Sequence, residues 1–126
     1  MSIYIPILQE YVGNVRIDLE ELIDRAGCLV LTLARTDGRR IHLKFDSYMA
    51  YRKLDEGDAL LTLSAMRKTG GLSKCFYRVD DSDFLIWFNA ERCGPASGQP
   101  LGHYSVAAIN DVVDVLSLDP PTVEMA

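Results

Sequence analysis

Two β-rich runs joined across an Asp-Gly step constrain this chain more than any other feature in it. Cys28–Arg35 is apolar on both faces, Arg40–Phe45 alternates Ile41, Leu43 and Phe45 against His42 and Lys44, and Asp37 and Gly38 lie between the runs. Glycine accepts the positive φ that a tight hairpin turn demands, so the pattern predicts an antiparallel hairpin. The first strand, apolar on both faces, is expected to be central or covered by a helix. The alternating second strand is expected to have one wet face.

The rest of the chain is read outward from that hairpin. Before it, Leu19, Leu22, Ile23 and Ala26 share one helical face, Asp18 and Glu21 match a capping box, and Gly27 supplies a stop, so a short helix is expected over Asp18–Arg25. After it, Asp46–Leu54 is read as a strand and Asp55–Asp58 as an acidic turn. Ala59–Lys68 fits neither the helical nor the strand period cleanly, and Thr69–Gly71 reads as a loop. Cys75–Val79 is expected as a strand, followed by a helix over Asp83–Arg92 capped by Ser82 or Asp81, with Phe84, Leu85 and Phe88 on one face. The composition of Gly94–Pro100 is that of an exposed loop. His103–Ile109 and Val112–Leu118 read as strands about a turn at Asn110 and Asp111. Asp119–Pro121 ends regular structure and Thr122–Ala126 is expected to fray. The sum is one α+β domain over 1–126, an antiparallel sheet with two or three short helices.

Composition narrows the function classes. The chain has 126 residues, 48% of them hydrophobic, and a formal net charge of −5, which suits one folded domain and opposes general disorder. A negative balance disfavours direct nucleic-acid binding, because the electrostatic attraction to phosphate has the wrong sign. The N-terminus lacks the basic start and long apolar centre of a signal peptide, and no apolar run approaches the roughly 18–20 residues that span a bilayer. Three widely separated cysteines, Cys28, Cys75 and Cys93, make neither a disulfide framework nor a metal knuckle. Reduced thiols in a cytoplasmic protein are the expectation, with no membrane partner.

No motif names a chemistry. Cys93 and His103 flank the Gly/Pro loop and form the one candidate nucleophile–base pair, but nothing in the pattern supplies an orienting third group. His42 is expected in solvent on the polar face of its strand. Two histidines and scattered carboxylates lack metal-ligand spacing, and Gly70-Gly71 lacks the Lys-Ser/Thr of a phosphate loop, so no metal and no cofactor are expected. Trp87 and Phe88 read as core residues of their helix. What remains is acidity placed on turns and helix starts, at Asp55, Glu56, Asp58, Asp80, Asp81, Asp83 and Glu91. Such clusters suit a binding face for a basic partner, because opposite potentials speed encounter. Tyr51 or Tyr77 is expected as an aromatic anchor.

The C-terminal third, from Asp83 through Trp87 and His103 to Asp114 and Pro120-Pro121, resembles small bacterial proteins with a helix, a Gly-rich loop and a closing hairpin. Some chains of this kind are similar to cytoplasmic immunity proteins, which neutralise toxins delivered between competing bacteria. The resemblance covers about 40 residues, those from 83 to 121, and carries over no site residues. It implies a non-enzymatic protein that binds a cognate, basic toxin domain and occludes its active site. Asp55, Glu56, Asp58, Asp80, Asp81 and Asp83 would then supply steering. The alternatives are a small enzyme using Cys93 and His103, or a homo-oligomeric accessory subunit joined through exposed strand edges.

Overall fold

The expected hairpin is present. In the computed structural model, which describes residues 2–13, 15–69, 75–93 and 100–126, β3 (Cys28–Arg35) pairs antiparallel with β4 (Arg40–Phe45), and Gly38 takes φ 91° in the turn. A four-stranded sheet grows around it in the order β2 (Ile17–Arg25), β3, β4, β9 (Thr122–Met125). A second antiparallel sheet runs β1 (Ile3–Pro6), β6 (Phe76–Asp80), β7 (Gly102–Ala107), β8 (Asp111–Ser117), β5 (Tyr48–Asp55). Among the described residues there are three α-helices, α1 (Gln9–Val12), α2 (Leu60–Thr69) and α3 (Asp83–Glu91), so the chain is a single α+β domain.

Side-chain alternation sets the layers. Leu29, Leu31, Leu33, Ile41, Leu43 and Phe45 on one face of the four-stranded sheet share a core with Phe76, Val106, Val113 and Val115 of the other sheet. On the opposite face of the five-stranded sheet, Met66 of α2 packs with Tyr4, Tyr77 and Val79, and Phe84 of α3 packs with Leu116. The five-stranded sheet is therefore covered on both faces. That explains why β8 is buried from Val112 to Ser117 although it carries a carboxylate, Asp114, in the middle.

Two expectations fail for physical reasons. Asp18–Arg25 is not a helix but most of β2, which carries a bulge between Leu19 and Glu21. The extra residue puts Leu19 opposite Leu33 and Leu22 opposite Leu31, so a spacing of three keeps both on the core side and imitates a helical face. Gly27 does not stop a helix. With Ala26 it makes a two-residue hairpin turn, both at positive φ (50° and 85°). Thr122–Ala126 does not fray, since β9 pairs with β4, Leu43 lies opposite Val123 and Ile41 opposite Met125, and both side chains of β9 pack on the core. The tail covers an edge that β4 would otherwise leave open.

Elsewhere the ambiguous segment settles as α2, and the acidic turn is a 3-10 turn over Glu56–Asp58, capped by the Asp55 carboxylate accepting from Gly57 N–H at 2.9 Å. Ser82 caps α3, its Oγ accepting from Leu85 N–H at 2.9 Å. Of the loops expected at Thr69–Gly71 and Gly94–Pro100, Thr69 ends α2, and residues 70–71 and 94–99 lie outside the described residues.

Candidate functional site

The helix-covered face of the five-stranded sheet holds a buried chain of polar side chains. In the β5–β8 register Arg52 lies opposite Asp114, and in β7–β8 Ser105 lies opposite Asp114, which sets His103 diagonally beside it. His103 Nε2 lies 2.7 Å from Asp114 Oδ1, Arg52 Nε donates to Asp114 Oδ2 at 3.0 Å, and Ser82 Oγ lies 2.6 Å from His103 Nδ1. His103 is 2% exposed and Asp114 0%. Phe84 meets the His103 ring edge-on, and the Arg52 guanidinium lies 4.2 Å from the Phe84 ring centre.

Burial alone pushes the Asp114 carboxyl up, but the His103 hydrogen bond and the charges of His103 and Arg52 outweigh it and hold the group below its ordinary value. An ionised carboxylate only accepts, so His103 Nε2 carries the hydrogen of that bond. In the neutral ring Nδ1 is then the acceptor and Ser82 O–H the donor. Asp81, at φ 50°, makes the left-handed step from β6 that delivers Ser82 to this position. Beside the chain is a hollow of about 530 Å³ whose wall includes Ile3, Arg78, Asp81, Ser82, Leu101 and His103.

A separate groove of about 490 Å³ runs along α2. Leu61, Ala65 and Lys68 of one helical face line it with Ile3, Arg52 and Asp83. Large apolar side chains of α2 and α3 stand in solvent. Leu61 is 89% exposed, Leu60 and Ile86 are exposed, and Trp87, expected in the core, is 54% exposed and stacks on Phe84.

The sequence-derived candidates are dispersed. Asp55, Glu56 and Asp58 are exposed, as are Asp80, Asp81 and Asp83, but the antiparallel order puts the first group at one end of the five-stranded sheet and the second at the other. They do not form one face. The groove lies between them, for Asp83 is on its wall and Asp58 precedes groove-lining Leu61 by three residues. Tyr77 is no surface anchor: it is wholly buried, and burial pushes its phenol up to about 12. Tyr51 is half-buried against the core between the sheets.

Cys93 is exposed, whereas both ring nitrogens of His103 are engaged by Ser82 and Asp114, so the structure does not bring the expected thiol–imidazole pair together. His42 is half-buried, with Nδ1 3.2 Å from Thr32 Oγ1. The sequence pattern does not mark Ser82 or Asp114 as site residues. Asp114 had a signal, a carboxylate inside the apolar run Val112–Leu116, while Ser82 was legible only as a cap. Among the described residues no group of three His, Cys, Asp or Glu side chains is placed to hold a metal ion. Nor is any described helix long and apolar enough to cross a membrane.

The fold and its surface define a small α+β protein of two stacked antiparallel sheets, with a helical layer that bears an apolar groove and a buried Ser–His–Asp chain beneath it. Comparison with known protein families, with curated proteins and with solved structures finds no match.

Proposed function

We propose that this chain is a cytoplasmic partner-binding protein of the immunity type, which neutralises a cognate toxin domain by covering its active site. The observation that carries the reading is the set of exposed apolar side chains on the helical layer, Leu61 on the wall of an open groove along α2, Leu60 in the same helix, and Ile86 and Trp87 on α3. An exposed apolar patch that lines a groove, as Leu61 does here, marks an interaction surface. Tryptophan is among the residue types that most often dominate binding energy. Exposed carboxylates at either side favour a basic partner, since complementary potential raises the encounter rate. Occlusion requires no chemistry from the chain itself.

The test is co-expression with the product of the adjacent gene, followed by affinity capture and a growth assay. A stable complex and protection from toxicity support the reading, and absence of both overturns it. Within such a complex Leu61→Asp and Trp87→Ala, both at exposed positions, should each weaken binding by at least tenfold, on the order of 1.4 kcal/mol, without unfolding the free protein. Light scattering on the free protein separates this reading from a homo-oligomer closed over the same surface.

A further inference from the structure

We propose that Ser82 is an acyl-accepting nucleophile and that the hollow beside it binds a small uncharged ester with a short apolar acyl chain, an activity independent of partner capture. A serine nucleophile needs its hydroxyl on an imidazole nitrogen, the other ring nitrogen on a carboxylate, and room for a carbonyl carbon near the oxygen. All three conditions meet here. Ser82 Oγ lies 2.6 Å from His103 Nδ1, His103 Nε2 lies 2.7 Å from Asp114 Oδ1, and Ser82 and His103 both belong to the wall of the 530 Å³ hollow. The ring uses Nδ1 towards the serine and Nε2 towards the carboxylate. Either nitrogen can act as a base when the other is held as a donor.

The setting favours negative charge on oxygen. Ser82 stands at the N-terminus of the nine-residue α3, and Leu85 N–H already donates to its Oγ at 2.9 Å. Of the first-turn N–H groups that of Asp83 is taken by Ser2 Oγ at 2.9 Å, so an alkoxide or a tetrahedral oxyanion is stabilised by the Leu85 N–H and by the positive dipole end of the helix. Ile3, Val79, Leu85 and Leu101 give the hollow its apolar wall, and Arg78, the one cation on that wall among the described residues, is paired with Asp80 at 3.3 Å. That lining selects a neutral substrate over a free acid.

The steps balance. Ser82 Oγ bonds to the carbonyl carbon while its proton passes to His103 Nδ1, and Asp114 keeps the imidazolium oriented without taking a proton itself. The carbon–oxygen bond to the leaving alcohol breaks, and the alcohol carries off the proton from Nδ1. Water then attacks the Ser82 ester, gives its proton to the same nitrogen, and the acid departs as that proton returns to Oγ. The sum is ester plus water to acid plus alcohol. Ser82 and His103 are the catalytic pair, and Asp114 and Arg52 are positioning residues.

The test begins with the unaltered protein. Treated natively with an alkyl fluorophosphonate, it should lose fluoride and gain one phosphonyl group on the peptide that contains Ser82. The absence of that adduct, under conditions that fully label a known serine hydrolase, overturns the proposal. Hydrolysis of p-nitrophenyl butyrate should fall by about 10²–10⁴-fold in His103→Gln. An unchanged rate in folded His103→Gln likewise overturns it, and if that variant does not fold, the native labelling decides alone. Asp114→Asn tests positioning, since loss of the carboxylate should move the midpoint of the labelling rate to lower pH as well as reduce its plateau. A merely structural role would leave the midpoint where it was.

Discussion

In β8 a carboxylate stands between Val113 and Val115, and the fold accommodates it because His103 and Arg52 both donate to it. Removing one partner from a buried pair leaves an uncompensated group, which typically costs about 3–5 kcal/mol, so Asp114→Ala should lose that much stability in urea unfolding at pH 7. The pH dependence has a definite sign. The folded carboxyl is held below its ordinary 3.8, so the stabilisation is fully present above that value and is lost as the pH falls through the depressed folded one. Unfolding free energies measured from pH 5 to pH 2 should therefore fall more steeply for the natural protein than for Asp114→Asn. Equal slopes would mean that Asp114 is not held ionised. Ser105 gives the opposite case, because its buried Oγ has no partner among the described residues. Replacing an unsatisfied hydroxyl by hydrogen relieves a desolvation cost, so Ser105→Ala should be neutral or stabilising by up to about 1 kcal/mol, and a loss beyond that in the same assay would reveal a hidden acceptor.

Elements were legible where local chemistry and tertiary context agree. The β3–β4 turn contains its own glycine at Gly38, and α3 has both a cap at Ser82 and a buried Phe84, so pattern and structure coincide. They part where an element depends on a distant neighbour. The bulge in β2 is recorded only in its pairing with β3, and without that strand the spacing of Leu19 and Leu22 is indistinguishable from a helical one. β9 is four residues long and follows Pro120-Pro121, which by local rules ends structure. Its order comes from backbone pairing with β4 and from Val123 and Met125 on the core. Truncation after Pro121 should accordingly uncover the β4 edge and two apolar contacts, costing about 2–4 kcal/mol by the usual value of such side chains. It should also promote self-association through the bared strand. Thermal unfolding and light scattering check both, and an unshifted melting temperature would show that β9 does not stabilise the domain. The candidate site follows the same logic. Sheet register brings His103 of β7 to Asp114 of β8, and the left-handed step at Asp81 brings the helix cap Ser82 to His103, so neither contact is visible in local sequence.

At the scale of the whole molecule, a net charge of −5 acts through its placement rather than its sum. The two acidic groups lie at opposite ends of the five-stranded sheet with the apolar groove between them, and at about 0.1 M salt each field decays within roughly 10 Å. If the groove takes a basic partner, each group should steer separately. Glu56→Lys with Asp58→Lys at one end, and Asp80→Lys at the other, should each slow association, on the order of tenfold when combined at low salt. Dissociation should change little, because these carboxylates guide the approach while the apolar side chains hold the complex. Stopped-flow association at about 20 mM and about 500 mM salt, roughly the limits of weak and strong screening, separates the roles. A rate difference that vanishes at high salt identifies steering, whereas an altered dissociation rate would make the carboxylates contact residues. An effect confined to one end would place the partner asymmetrically on the groove, and no effect at either end would remove charge from the account of recognition and leave Leu61 and Trp87 as its basis.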